Sequence, residues 1–298
     1  MKRVAALSLF FLAVPALAHG GAHQMPDGPP GWTLDPSLLV PLAAILILYA
    51  VGLARLHRRS RSGRAGIVRS AALFGLGWMV LASALCSPLH EAGERSFTMH
   101  MIEHELIMMV ASLLLVLSRP APVLLWGLPQ ALRAGFASIG QHQGWRSNWR
   151  FLADPVTATV LQAITLWAWH APPLFDRALG HSAWHMAQHL SFLATALLFW
   201  WAMAHNRHGQ SSYGVSALCL FVTSLIGGLL GALMSFSASP WYESYAAMGM
   251  TPLGMTPLED QQVAGLLMWI PGGLVHAVAA LFYLNAWFNE TRNAVAAE

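Results

Sequence analysis

The run Thr98-Met99-His100-Met101-Ile102-Glu103-His104-Glu105-Leu106-Ile107-Met108-Met109 opens an apolar stretch that ends at Arg119-Pro120. On a helix, residues four apart stand one above the other, so His100 and His104 share a face and can share a ligand. Met101, Glu105 and Met108 follow one another on the adjoining stripe. The pattern recurs downstream, where His185-Met186-Ala187-Gln188-His189 opens a second apolar run, and His170 closes a third. Whether these five histidines meet decides what the chain can do.

Working outward, the composition fixes the class. Of 298 residues, 56% are hydrophobic and 10% charged, and the mean hydropathy is +0.52. A soluble domain carries roughly 25% charged residues. The expected fold is an all-α polytopic membrane bundle. Seven apolar runs have spanning length: Ser37–Leu56, Ile67–Cys86, His100–Leu117, Pro155–His170, His185–Ala204, Gly214–Phe236 and Gln261–Phe288. Pro122–Ile139 is less apolar, holds Pro129 and Arg133, and is expected to lie along the membrane surface. The membrane domain then spans 37–288, followed by a tail at 289–298. Cys86 and Cys219 each sit alone in an apolar run, which argues against a disulfide framework or a thiolate zinc site.

At the N-terminus, Met1-Lys2-Arg3, a short apolar core and Ala16-Leu17-Ala18 have the form of a secretory signal peptide at 1–18. Residues 19–36 form a tail carrying His19, His23, Met25 and several prolines. It reads equally as a metal-capturing segment and as a linker.

The sequence pI near 9.2 reflects topology, not a nucleic-acid surface, because the arginines fall in short connections between apolar runs. Arg55, Arg58, Arg59, Arg61, Arg64 and Arg69 flank the first connection. Arg119, Arg133, Arg146 and Arg150 follow the third run, Arg207 the fifth and Arg292 the seventh. The opposite connections hold only Arg95 and Arg177. By the positive-inside rule the expected topology is N-terminus outside and C-terminus cytoplasmic. His100, His104, His170, His185 and His189 then all lie in the outer quarter of the membrane, level with Glu259-Asp260-Gln261-Gln262.

A single histidine at a helix end is ordinarily an interfacial residue with its tip in water. Five at one depth, four of them in i,i+4 pairs, read as a metal site, because buried polar groups in a bundle pair or bind something. His90 is a possible peripheral ligand. His276 lies about 15 residues into the last run, too deep to join the cluster at 1.5 Å per residue, and is expected to be structural. His57, His142, His205 and His208 sit among the arginines and read as solvated. Imidazole suits copper, zinc, iron or nickel, and thioether selects Cu(I) among them. Met99, Met101 and Met186 near the cluster, with Met248, Met250 and Met255 in the outer loop, favour copper, and Cu(I) in particular.

Four stretches carry a family resemblance: Met99-His100-Met101-Ile102-Glu103-His104-Glu105-Leu106 to Leu117-Ser118-Arg119-Pro120; Trp167-Ala168-Trp169-His170-Ala171-Pro172-Pro173-Leu174-Phe175-Asp176; His185-Met186-Ala187-Gln188-His189 to Phe199-Trp200-Trp201; and Glu259-Asp260-Gln261-Gln262-Val263-Ala264-Gly265 to Trp269-Ile270-Pro271-Gly272-Gly273. The chain resembles the multi-spanning CtaG-type cytochrome c oxidase assembly proteins over roughly Ser70 to Phe288. The resemblance implies a non-enzymatic inner-membrane factor needed to build a haem-copper oxidase, through copper delivery or retention. Its partners would be oxidase subunits and a copper donor protein.

Two other readings stay open. Histidines on facing helices could ligate a haem in a redox or haem-modifying protein. A zinc-dependent intramembrane hydrolase could use Glu103 or Glu105 as its base. However, Glu103 adjoins the second histidine of its pair, so the HExxH spacing is absent.

Overall fold

The computed structural model describes residues 28–59, 64–205 and 211–295. The expected signal peptide, residues 19–27 of the tail and Arg207 and His208 lie outside them. The described residues are helical, with no strand among them.

Helix α1 (Pro36–Arg59) opens where the Asp35 carboxylate accepts the Ser37 N–H at 2.8 Å, and ends in His57, Arg58 and Arg59, cations that suit the negative end of the helix dipole. It runs against α2 (Arg64–Cys86). The short helix α3 (Pro88–Arg95) starts at Ser87, whose side chain accepts the Leu89 N–H, with Pro88 in the first turn. Helix α4 (Phe97–Glu105) passes through a π-helical turn at Leu106–Ala111 into α5 (Ser112–Ser118). The span stops at Arg119, which has left-handed backbone (φ 50°) and precedes Pro120.

The stretch expected along the surface, Pro122–Ile139, falls into two helices, α6 (Pro120–Gly127) and α7 (Gln130–Gln141), parted at Leu128-Pro129. Only α7 buries nothing. Helix α6 lies close against α1, because Gly52 and Gly127 have no side chains to hold the backbones apart. A Cβ at Gly52 would stand 1.9 Å from the Val123 carbonyl oxygen.

Helix α8 (Gln143–Leu152) leads through Asp154, which caps the Val156 and Thr157 N–H groups, into α9 (Pro155–His170). Then come α10 (Pro172–Gly180), α11 (Ser182–His205), α12 (Ser211–Ser235), α13 (Glu243–Met248) and α14 (Pro257–Leu267). A second π-helical turn, Met268–Gly272, joins α14 to α15 (Gly273–Val295). Pro271 accounts for this turn, since it has no N–H for the Leu267 carbonyl and its ring crowds that oxygen.

Among the described residues, six helical stretches are long and apolar enough to cross a membrane, or seven if α8 and α9, bent by 65°, count as one span. The sixteen residues of α9 match the expected fourth run. They rise only ~24 Å at 1.5 Å per residue, short of a ~30 Å hydrocarbon core.

The two ends of the bundle differ in chemistry. At one, Arg55 donates to the carbonyls of Trp126, Gly127 and Leu128, and Arg119 donates to His205. At the other, Thr33 N–H donates to the Cys86 carbonyl, and the connections around residues 87–96, 171–181 and 236–256 come together. All five histidines singled out by the sequence belong to this second end.

Candidate metal centre

The start of α4 is set by a residue from α14. Asp260, buried, accepts the Ser96 hydroxyl at 2.9 Å, the Phe97 N–H at 2.6 Å and the Thr98 N–H at 3.1 Å. The first N–H groups of a helix have no partner within it, and a carboxylate there also suits the positive end of the dipole. One side chain therefore caps α4 from outside and fixes the height of His100, one turn further on. Gln261 and Gln262 instead hold the connection between α12 and α14: Gln261 accepts the Trp241 N–H at 2.6 Å, and Gln262 donates to the Ser237 carbonyl at 3.2 Å. Glu259 closes a capping box with Thr256.

Helices α4 and α11 turn their histidine pairs toward each other. One ring nitrogen from each of His100, His185 and His189 lies within 4.8 Å of the other two. The ring centroids are 5.4 Å apart for His100 and His185 and 4.4 Å for His185 and His189. All three are buried, His100 completely. Both nitrogens of His100, and Nε2 of His185 and of His189, have no hydrogen-bond partner in the protein. Buried polar atoms are almost always satisfied. Three buried imidazoles, each with an unpaired nitrogen and with ring nitrogens this close together, make a donor set able to hold a cation.

Short helix α3 adds a second layer. His90 stacks on His185 at 5.2 Å and meets His189 edge-on at 5.7 Å. Its Nδ1 lies 2.8 Å from Oε1 of Glu103, a fully buried carboxylate that also faces Nδ1 of His189 at 3.8 Å. Burial opposes the charged form of His90, yet the hydrogen bond and charge of Glu103, with Glu94 and Asp35, outweigh it and hold the imidazole above its ordinary pKa. A carboxylate behind an imidazole fixes the tautomer and raises its basicity as a ligand. Glu94 forms a further close group with His90 and His185.

His104 touches both histidine pairs, 4.3 Å from His100 and 5.2 Å from His189 between centroids, but also lines a deeper cavity. His170 faces that cavity as well, separated from the triad, with its ring between Phe175 and Phe192. Of the five histidines, the structure thus brings His100, His185 and His189 into one set, with His104 on its inner edge and His170 beyond it. Met101 is buried and lines the deeper cavity, whereas Met248 and Met250 are exposed on the connection between α12 and α14. His57 and His142 are exposed, as expected. His205, expected to be solvated, is half-buried, stacked on Trp201 at 4.1 Å and accepting from Arg119 at 3.0 Å.

Sequence reasoning gave His90 a marginal place and read Glu103 only as a candidate base. The sole signal was their position on the same outer side. The aromatic cover was not anticipated. Tyr242 stacks on Phe175 at 4.1 Å and donates to the His170 carbonyl at 3.1 Å, while Tyr245 donates to the Gly93 carbonyl at 2.5 Å. These rings, with Phe97, close the bundle end beside His100.

The fold and this site define a multi-spanning helical membrane protein with a buried imidazole cluster at one end. The chain belongs to the family described as cytochrome c oxidase caa3 assembly factor (Caa3_CtaG), which it matches over residues 47–290. It is 26% identical over 273 residues to the uncharacterized proteins Mb0105 of Mycobacterium bovis and MT0111 of Mycobacterium tuberculosis, covering 90% of this chain and 41% of each relative. The uncharacterized protein ML1998 of Mycobacterium leprae is 26% identical over 269 residues, covering 86% of this chain and 39% of its own length. The chain therefore spans about two-fifths of the curated relatives it matches. No solved structure matches.

Proposed function

We propose that this protein binds copper at the imidazole end and serves the assembly of a cytochrome c oxidase by retaining or delivering that metal. The observation that carries the reading is the convergence of His100, His185 and His189, buried and with unpaired nitrogens, within 4.8 Å. Membership in an oxidase assembly family supplies the client. Three imidazoles suit copper or zinc, and the client's need for copper, with the thioethers close by, favours Cu(I). His90 and Glu103 orient and enrich the ligands from behind. The arginine-rich end belongs in the cytoplasm by the positive-inside rule, which places the triad toward the outer face of the inner membrane. The partners are oxidase subunits and a donor protein that brings copper to this face.

Two features favour this reading over its rivals. Neither Glu103 nor Glu105 stands in the HExxH spacing of a zinc hydrolase, and Glu103 is engaged through Oε1 with His90. The imidazoles of the cluster touch ring to ring, which leaves space for an ion and none for a porphyrin.

The test is complementation. In cells lacking this gene, the wild-type chain restores oxidase content and activity, while a His185→Phe, His189→Phe variant present at normal level does not. Full restoration by that variant would remove the metal from the account.

A further inference from the structure

Beneath the triad lies a cavity of about 40 Å³, bordered by α4, α9, α12, both π-helical turns and α15. It takes three histidines, His104, His170 and His276, the carboxyl of Glu105, and the thioether side chains of Met101, Met108, Met109 and Met268. His276 is the residue that the sequence set aside as structural and too deep.

The hydrogen bonds assign tautomers. His170 Nδ1 lies 2.7 Å from the Leu166 carbonyl oxygen, and His276 Nδ1 lies 2.9 Å from that of Gly272. A carbonyl oxygen only accepts, so Nδ1 carries the proton in both rings and Nε2 carries the lone pair. Both Nε2 atoms are buried with no partner, as are both nitrogens of His104. Imidazoles that ligate metals ordinarily donate their other N–H to a carbonyl or carboxylate in this way. A purely structural histidine has no need to leave that nitrogen unpaired within the membrane.

The backbone is shaped around the same space. Met108 lies in the first π-helical turn and Met268 in the second, and both residues line the cavity. Such turns carry poorer hydrogen bonding than an α-helix and gather at functional sites. Here the Met108 carbonyl is taken by the Trp200 indole at 3.0 Å and by the Ser112 hydroxyl. Pro271 explains the second turn, but no proline lies in the first.

We infer that this cavity is a second metal site, selective for a soft monovalent cation, in which thioethers of Met101, Met108 and Met268 join the nitrogens of His104 and His170. It rests on the reading that the protein handles copper, and it gives that copper an inner station. His104, in ring contact with His100 and His189, connects the two. The donor sets differ in thioether: imidazoles backed by Glu103 at the outer site, imidazole with thioether beside the carboxyl of Glu105 at the inner one. Thioethers favour Cu(I) over Zn(II) and Cu(II). His276, stacked parallel to Trp200 at 5.7 Å, closes the lower end. No change of oxidation state is involved; copper enters and leaves as Cu(I).

The test uses purified full-length protein in detergent, loaded anaerobically with Cu(I) or with Ag(I) as a redox-inert substitute. Metal content and X-ray absorption are measured for the wild type, for a variant combining Met101→Leu, Met108→Leu, Met109→Leu and Met268→Leu, and for His100→Phe with His189→Phe. The leucine changes keep volume and remove sulfur. The expected result is two ions per chain with sulfur scattering in the wild type. The leucine variant should keep one ion bound by nitrogen alone. The phenylalanine variant should keep sulfur-bound metal. Nitrogen-only ligation in the wild type, or sulfur scattering undiminished in the leucine variant, overturns the inner site and leaves the outer one standing. Sulfur-bound metal with no imidazole-bound ion in any form supports the inner site and removes the outer. Absence of bound metal throughout overturns both.

Discussion

Asp260 Oδ2 accepts the backbone N–H of Phe97 at 2.6 Å across 163 residues of sequence. The bond couples the height of α4, and so of His100, to the position of α14. Asp260→Ala leaves three buried donors of α4 without their acceptor. It should cost about 2–4 kcal/mol, from loss of a cap and of charge-assisted bonds. Asp260→Asn, which keeps one acceptor oxygen, should cost less. Thermal unfolding in detergent reads both; an unshifted midpoint for the alanine variant would mean that α4 is held by other contacts.

Glycine substitutions test the helix packing. Gly127→Ala would put a Cβ 2.2 Å from the Leu48 carbonyl oxygen, forcing α6 from α1, whereas Gly75 has nothing within 4 Å of that position. The first should destabilise by about 1–3 kcal/mol. Gly75→Ala should be neutral or stabilise by up to about 1 kcal/mol, since alanine is the better helix former. Equal behaviour of the two in a melting series would contradict the close α1–α6 crossing.

Sequence and structure agree most where helical periodicity speaks. The i,i+4 spacing of His100/His104 and His185/His189 placed each pair on one face, and one crossing of α4 with α11 sufficed to bring them together. The family resemblance, read from four stretches of the chain, is matched by the family assignment. Less was legible where a contact depends on a short connection or on backbone irregularity. His90 reaches the cluster because α3 packs against α4 and α2 and turns its imidazole onto His185 and His189, a route that no local pattern encodes. Glu103 sits beside His104 in sequence, yet its partners are His90 and His189, because consecutive helical residues point about 100° apart. The first π-helical turn, which swings Met108 inward, has no proline to announce it. The segment Pro122–Ile139 has averaged hydropathy that hides a break at Pro129, with an apolar half on α1 and an exposed half beyond it.

Glu103→Gln should separate orientation from ligation. Glutamine keeps the shape of the side chain but removes the charge behind His90 and His189. Copper affinity, read by competition with a Cu(I) chelator, should fall about 10–100-fold while stoichiometry is unchanged. Unaltered affinity would show that Glu103 does not support the ligands. Loss of a whole equivalent would make it a ligand itself.

Topology is open to a direct measurement. A reporter placed within residues 206–210 should be active on the cytoplasmic side, and one inserted at Gly249 on the outer side. The reverse pattern would turn the imidazole end toward the cytoplasm and break the link to a copper donor outside.

The most direct test of the whole account is metal analysis of the purified protein with its triad intact and removed. Full-length wild type, exposed to Cu(I) and then to a competing chelator, should retain copper bound by nitrogen, and His100→Phe with His185→Phe and His189→Phe should lose that nitrogen-bound ion while keeping its helical circular dichroism. Nitrogen-bound copper retained undiminished by the folded triple variant would contradict the assignment of His100, His185 and His189 as the metal centre.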